Sequence, residues 1–467
     1  MIFAWIKIIL AILLLWPRGY LLVYVIDRSK NFSFGFKSFV AFIFGIAAFG
    51  LDVFGANVFG GFKLSPWLLL FSALGQVFGL EAVIFFLERK FVYPKPKKLA
   101  LFLKRQIQNF SAWSIWEKLI LAVLILLITA RVIFSLWTVV NIPTYDFDAW
   151  NNWNLRAKVI YTEGTIPLDP KSPFYLGGGI GSYPLNDALF KVWLLTAAGS
   201  FAESYINFPS VIYYILLLGI FYFSLSSKTP RLLKLLGLYL LSGVPLFYFH
   251  SHVAYADLLF SIFLFLTVGS LFYWLSGRGN SFFYISGIAL AFSIWTKNEG
   301  LAILFPLIFI TTIIFLVTKK CNLKQLLLYW FWPVVTIFPW LSFRILNRLN
   351  VLSGDSSTFQ LIFNYKFISE IISSVFLRSH FNLLWLLILI IIITQIKLIW
   401  PKKSLRYLTL TLAVLFLIDN SVILFTDKAF DLSALARVNM QLVPLGVLFL
   451  IFFLRHFFAK INSKQVQ

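Results

Sequence analysis

Long apolar runs along the chain alternate with short polar clusters. A membrane crossing takes about 20 apolar residues at about 1.5 Å of rise each. On that rule helices are expected near 3–25, 37–59, 65–88, 117–140, 205–226, 231–249, 254–276, 281–296, 299–318, 326–346, 381–399, 404–425 and 437–458. The pattern predicts an all-α polytopic transmembrane bundle of about thirteen spans. The segment 186–199, NDALFKVWLLTAAG, is amphipathic and short, so an interfacial or re-entrant helix is expected there. The first run, MIFAWIKIILAILLLW, has no small-residue cleavage site and reads as a retained helix, interrupted at Pro17 and Arg18.

Composition excludes the soluble alternative. With 60% hydrophobic and 12% charged residues and a mean hydropathy of +0.88, a water-soluble fold of 467 residues could not clothe its surface. The net charge of +22 would suggest nucleic acid in a soluble protein, but its distribution changes that reading. The segments ERKFVYPKPKKLALFLKR, SSKTPRLLK, TKKCNLK, QIKLIWPKKSLR and RHFFAKINSK alternate with cation-poorer loops, which assigns them to the cytoplasm. No nucleic-acid partner is then required. Of the 18 acidic residues, only Asp27, Glu88 and Glu117 fall clearly on that side. The single Cys321 rules out an internal disulfide. The Pro- and Lys-rich stretch 89–110 marks one boundary, giving an N-terminal three-helix module (1–110), a core (111–346), a loop (347–380) and C-terminal helices (381–467).

Chemistry is concentrated in the loops of the other side. YDFDAWNNWNLRAK, residues 145–158, holds Asp146, Asp148, Asn152, Arg156 and Lys158, with Trp150 and Trp153 forming a stripe with Ala157 at helical spacing. Asp148 precedes a potential helix and could simply cap it, and the Trp pair could be an interfacial belt. GGGIGSYP, residues 177–184, lacks the GK[ST] of a phosphate loop and reads as a turn leading from Tyr183 to the next helix. HSHVAYAD offers His250, His252 and Asp257, a thin set for a metal. WTKNEG places Lys297 and Glu299 between two apolar runs, where ionisable groups pair or face a cavity. Arg437 and Gln441 are four apart and share a helix face, though an arginine there could snorkel to lipid. Asp52, Glu81 and Asp419 lie deeper in expected helices.

In this order the motifs resemble the polytopic GT-C glycosyltransferases, in particular bacterial relatives of protein mannosyltransferases and aminoarabinose transferases. The matching segments are YDFDAWNNWNLRAK, YPLNDALFKVW, AYADLLFSIF and TKNEGLAILF, spanning about 117–345, with a looser match at Arg437. The resemblance implies a large first extracytoplasmic loop carrying short interfacial helices. It also implies a sugar donor on polyprenyl phosphate, and transfer with inversion to a lipid, glycan or protein in a bacterial or archaeal plasma membrane. An acid-x-Asp-Ala-Trp run favours Asp148 over Asp146 as general base. Arg437, Lys297, Arg156 and Lys158 are then candidates for the donor phosphate. Trp150, Trp153, Asn152, Tyr183, Asp257, Glu299 and Gln441 are candidates for substrate binding. No cofactor is required; a divalent cation is left open, with Asp146, His250 and His252 as candidate ligands. Two competing readings use the same membrane bundle. One is a transporter or flippase for a lipid-linked glycan, coupled through Asp52, Glu81 and Asp419; the other is an O-antigen ligase or polymerase.

Overall fold

The computed structural model describes residues 2–89, 91–92, 113–168, 172, 183–226, 229–347, 363, 365–425 and 432–465. Among them every regular element is helical. Ten helices are long and apolar enough to cross a membrane. The first four are α1 (Ile2–Ile26), α2 (Phe34–Val58), α3 (Pro66–Glu88) and α4 (Ile115–Asn141). Local chemistry sets their ends. Ser33 accepts from Phe36 N to start α2, Ser65 accepts from Leu68 N to start α3 with Pro66 in its first turn, and Ser114 with Glu117 forms a capping box on α4. The helix α1 runs unbroken through Pro17. It packs tightly on α2, because Gly19 and Gly45 have no side chain to hold the backbones apart: a Cβ at Gly45 would lie 2.1 Å from Leu15 O.

After α4 the chain makes a π turn at Ala149–Trp153, α5 (Asn154–Glu163), α6 (Asn186–Ala198), α7 (Glu203–Asn207) and α8 (Pro209–Ser224). Next come α9 (Arg231–Gly243), α10 (Pro245–Phe249), α11 (Asp257–Leu275) and α12 (Asn280–Ile294), then a π turn at Gly300–Leu304 that continues into α13 (Phe305–Val317). The remainder is α14 (Leu323–Leu346), α15 (Phe367–Ile372), a π turn at Ser373–Leu377, a short 3₁₀ turn, α16 (Leu384–Ile399), α17 (Lys403–Phe425), α18 (Leu432–Gln441) and α19 (Val443–Gln465).

Four expected spans differ. The stretch 231–249 is broken at Val244, where Pro245 has no N–H to continue the ladder, leaving pieces of 13 and 5 residues. The helix at 281–296 has only 15 residues. The span at 381–399 belongs to a pair, Phe367–Phe381 and Leu384–Ile399, bent by 116° where Asn382 and Leu383 adopt left-handed backbone. The last span begins at Val443, because Arg437 lies on the separate helix α18. Against the thirteen spans expected, ten helices among the described residues pass by length and composition, or eleven if the bent pair counts as one.

The helix α6 does not lie on the surface, as an interfacial helix would: all but two of its side chains are buried, against α1, α2 and α5, and the re-entrant alternative is untouched by this. Its polar residues are satisfied from within. Lys191 pairs with Asp187 at 2.6 Å, Tyr213 donates to Asp187 at 3.0 Å, and Trp193 donates to Ala11 O at 3.0 Å. An amphipathic pattern thus marks a polar seam inside the bundle.

The bundle has two unlike ends. At one, Asp27 pairs with Lys37, Asn31 meets Ser281, and Arg278 caps Ser224 O. Arg231, Lys234 and Arg455 lie near Arg278, while Lys320 lies near Lys403 and Arg406. At the other end Asn57 donates to Thr165, Asn186 to Thr296 and Lys297 to Asp257. The carboxylates and cations of the loop motifs gather at this second end.

Candidate active site

The starts of α11 and α13, the π turn after α4 and the helix α18 converge on a cavity of about 270 Å³. Asp148, Asn152, Trp153, Tyr183, Asp257, Lys297, Glu299 and Arg437 all line it. Local folding explains how they meet. The turn at Ala149–Trp153 closes with Asn154 N donating to Ala149 O, and that at Gly300–Leu304 with Phe305 N donating to Gly300 O. Each is wider than an α turn, so the flanking side chains are re-aimed. Gly300 is required for the second: a Cβ there would lie 2.5 Å from Ser293 O.

Charge pairing organises the floor. Lys297 Nζ donates to Asp257 Oδ1 at 3.0 Å and pairs with Glu299 Oε1 at 2.7 Å, while Gln441 Nε2 donates to the same Asp257 Oδ1 at 2.7 Å. Burial alone would lower the Lys297 pKa; the carboxylates of Asp257 and Glu299 outweigh it and raise it. At the rim Arg437 Nη1 pairs with Asp148 Oδ2 at 2.5 Å, and its guanidinium lies over the Tyr255 ring at 5.1 Å. Burial again opposes its charge, but Asp257 and Asp148 hold its pKa above the ordinary value. The Tyr183 hydroxyl is pushed up to about 12 by the Glu299 carboxylate and by burial. Asp257 Oδ2, Glu299 Oε2 and Asn152 Oδ1 are buried acceptors with no hydrogen-bond donor among the described residues.

Asp148 is helical in backbone and its side chain makes no capping bond; it turns to Arg437 instead. Asp146 leaves on the opposite side. It accepts from the Tyr255 hydroxyl and lines a second cavity, of about 310 Å³, with His250, Arg378, His380 and the far side of Arg437. The third π turn, Ser373–Leu377, supplies Ser374 to that wall.

Several expected site residues are elsewhere. Arg156 is buried and donates to the carbonyls of Tyr183 at 2.6 Å and Pro184 at 3.5 Å, so it fixes the entry to α6 and does not line the cavity. Lys158 is exposed, over the Phe201 ring at 5.0 Å. Trp150 is half exposed against Phe147, whereas Trp153 is buried against Tyr183: the wider π turn separates two rings that α spacing would have aligned. His250 packs on Phe249 and Tyr255, and His252 on Phe134, Tyr248 and Phe249. Among the described residues no three His, Cys, Asp or Glu side chains form a metal group. Asp52 pairs with Arg18 and Gln76, Glu81 accepts from Val92 N, and Asp419 is buried in α17; the three do not meet. Residues 177–182 of the Gly-rich stretch lie outside the described residues.

Sequence reasoning missed Tyr255, which links Asp146 to Arg437, and the α6 residues Asn186 and Lys191. Lys191 holds Ala254 O at 3.2 Å and Asn186 holds Thr296 at 2.9 Å, so one helix braces both loops that deliver Asp257 and Lys297. The signal was present in NDALFK, whose polar residues recur where a lipid-facing helix would not place them. Comparison with protein-family models, with curated proteins and with solved structures found no match.

Proposed function

We propose that this protein is a membrane glycosyltransferase that moves a sugar from a polyprenyl-phosphate-linked donor to a lipid, glycan or protein acceptor on the extracytoplasmic face. The observation that carries this reading is the cavity lined by the carboxylates of Asp148, Asp257 and Glu299 and by the cations Lys297 and Arg437 at one end of a membrane bundle. Orientation follows from charge. The opposite end holds Lys37, Arg231, Lys234, Arg278, Lys320, Lys403 and Arg406, and the positive-inside rule assigns that end to the cytoplasm.

The geometry supports the following chemistry. Arg437 engages Asp148 Oδ2, which leaves Oδ1 to take the acceptor hydroxyl proton. The acceptor oxygen attacks the anomeric carbon from the face opposite the phosphate, the bond from that carbon to the phosphate oxygen breaks, and configuration inverts. Arg437 and Lys297 meet the charge that develops on the departing lipid phosphate. Asp257, Glu299 and Asn152 accept from the sugar hydroxyls, and Trp153 offers its ring face. Asp146 faces Tyr255, away from this cavity, which favours Asp148 as the base.

The test is to incubate purified protein with a panel of radiolabelled polyprenyl-phosphate sugars and follow label into lipid, glycan and protein fractions. Asp148→Asn should lower turnover by about 10²- to 10⁴-fold, the usual contribution of a general base, with Asp146→Asn far milder. Full activity in both variants would refute the assignment. A lipid-linked glycan transporter would instead move intact donor across vesicles without cleaving the phosphate ester.

A further inference from the structure

The cavity at the α4, α9, α16 and α19 contact lies apart from the site above and belongs to no step of the proposed transfer. It measures about 140 Å³ and is walled by Leu240, Val244, Leu384, Leu387 and Leu450, with Arg131 at its edge. Arg131 is carried by the most lipid-exposed candidate span: only 6% of its apolar window is buried within the protein. Counting at about 1.5 Å per residue, Arg131 stands roughly 15 Å below the Asn141 end of a helix about 40 Å long. With a hydrocarbon layer of about 30 Å, that places it roughly 10 Å inside the apolar zone.

A guanidinium at that depth requires compensation. What the protein supplies is neutral. Arg131 Nη1 donates to Ser242 Oγ at 2.9 Å, the guanidinium lies over the Tyr239 ring at 5.3 Å, and it packs against bare Gly243, where a Cβ would come within 3.2 Å of Nη2. Among the described residues no carboxylate pairs with it. Both facing helices are broken at the same level. The ladder of α9 stops at Gly243, and Asn382, in left-handed backbone, donates to Gly243 O at 2.9 Å. The break satisfies its own carbonyl and leaves the cation facing an apolar groove. Leu383 and Leu387, each about half exposed, rim the lipid side.

We propose that this groove binds one anionic membrane lipid, its phosphate on Arg131 and its first acyl carbons against Leu384, Leu387 and Leu450. Charge complementarity selects the occupant: only a negative group carried by an amphiphile both neutralises a cation at this depth and covers the leucines. The size agrees, since 140 Å³ corresponds to roughly four or five waters at about 30 Å³ each, enough for a phosphate and too little for a glycan. The site is independent of the transfer reaction, so it can hold whether or not that reading does.

Native mass spectrometry of the full chain, titrated with phosphatidylglycerol or phosphatidylcholine, tests it. The wild type should retain one more phosphatidylglycerol than Arg131→Gln, with at least tenfold weaker apparent affinity in the variant and no comparable difference for phosphatidylcholine. Arg131→Lys should recover part of the binding, as a point charge without the planar fork. If Arg131→Gln does not fold, Leu387→Trp, which fills the groove and leaves the cation intact, should lose the same lipid. Equal retention in wild type and variants, equal retention of both lipids, or displacement by millimolar inorganic phosphate alone would overturn the proposal.

Discussion

Replacing Lys297 with Gln should destabilise the fold far more than the loss of an exposed ion pair would. Lys297 is nearly buried and touches two carboxylates, at 3.0 Å on Asp257 and 2.7 Å on Glu299. At an effective dielectric of about 20, Coulomb's law assigns each contact roughly 5 to 6 kcal/mol. Desolvation of the three charges, several kcal/mol per ion, cancels much of this, so the cluster as a whole contributes little net stability. Removing the cation alone is different, because the desolvation of both carboxylates stays and their partner goes. The expected loss is about 3 to 5 kcal/mol. Unfolding in mixed detergent micelles, followed by intrinsic tryptophan fluorescence, measures it. The triple variant Lys297→Gln, Asp257→Asn, Glu299→Gln should return to within about 1.5 kcal/mol of wild type, because it removes the charges together. A single-variant loss below 1 kcal/mol, on the scale of an exposed pair, would refute the cluster.

Gly45→Ala should abolish accumulation of folded protein, since the added Cβ meets backbone at Leu15 O, whereas Gly55→Ala, with nothing within 4 Å, should be tolerated; detergent size-exclusion profiles separate the two. His250 is buried and its pKa is lowered from 6.5 to about 4 by that burial. A histidine depressed in the fold is neutral where the unfolded chain is protonated, so acidification from pH 6.5 to 4 should cost up to about 3 kcal/mol. His250→Phe should flatten that slope in the same unfolding assay, in part only, because the pKa of His252 is also lowered to about 4.

Hydropathy made most helices legible, because lipid imposes a length rule that sequence can satisfy or fail visibly. It could not see the break at Val244–Pro245, where the chain stays apolar while the backbone changes direction, or how sharply the chain bends at Asn382. The site was legible in its residue types and not in its pairings. Lys297 and Asp257 are 40 residues apart, and Gln441 and Asp257 are 184 apart. Helical spacing also tells which residues share a face, but not what that face meets. Arg156 and Lys158 follow Asp148 closely, yet one turns to backbone carbonyls and the other to solvent and Phe201. The two aspartates show the same limit in reverse. Two positions apart on a helical turn, Asp146 and Asp148 point to different cavities, which is why their roles separate only in three dimensions.

The burial of the charged groups divides the cavity into a fixed floor and an adjustable rim. Asp257 and Lys297 expose 1% and 7% of their side chains, whereas Arg437 and Asp148 expose 18% and 38%. The floor is braced from behind by Lys191 and Asn186 of α6 and cannot exchange partners without stranding a buried charge. The rim can, because water meets a charge released there. In the proposed transfer, an arriving donor phosphate would compete with Asp148 for Arg437, and winning it would free the second oxygen of the proposed base. The two cations should consequently fail differently. Lys297→Gln should lose stability as well as turnover. Arg437→Gln should change stability by only about 1 kcal/mol, as a partly exposed pair does, while turnover falls by about 10²- to 10³-fold for one lost charge-stabilising group. Measuring unfolding and label transfer on the same preparations distinguishes them, and an Arg437→Gln variant within tenfold of wild-type turnover would show that Arg437 does not hold the proposed donor phosphate.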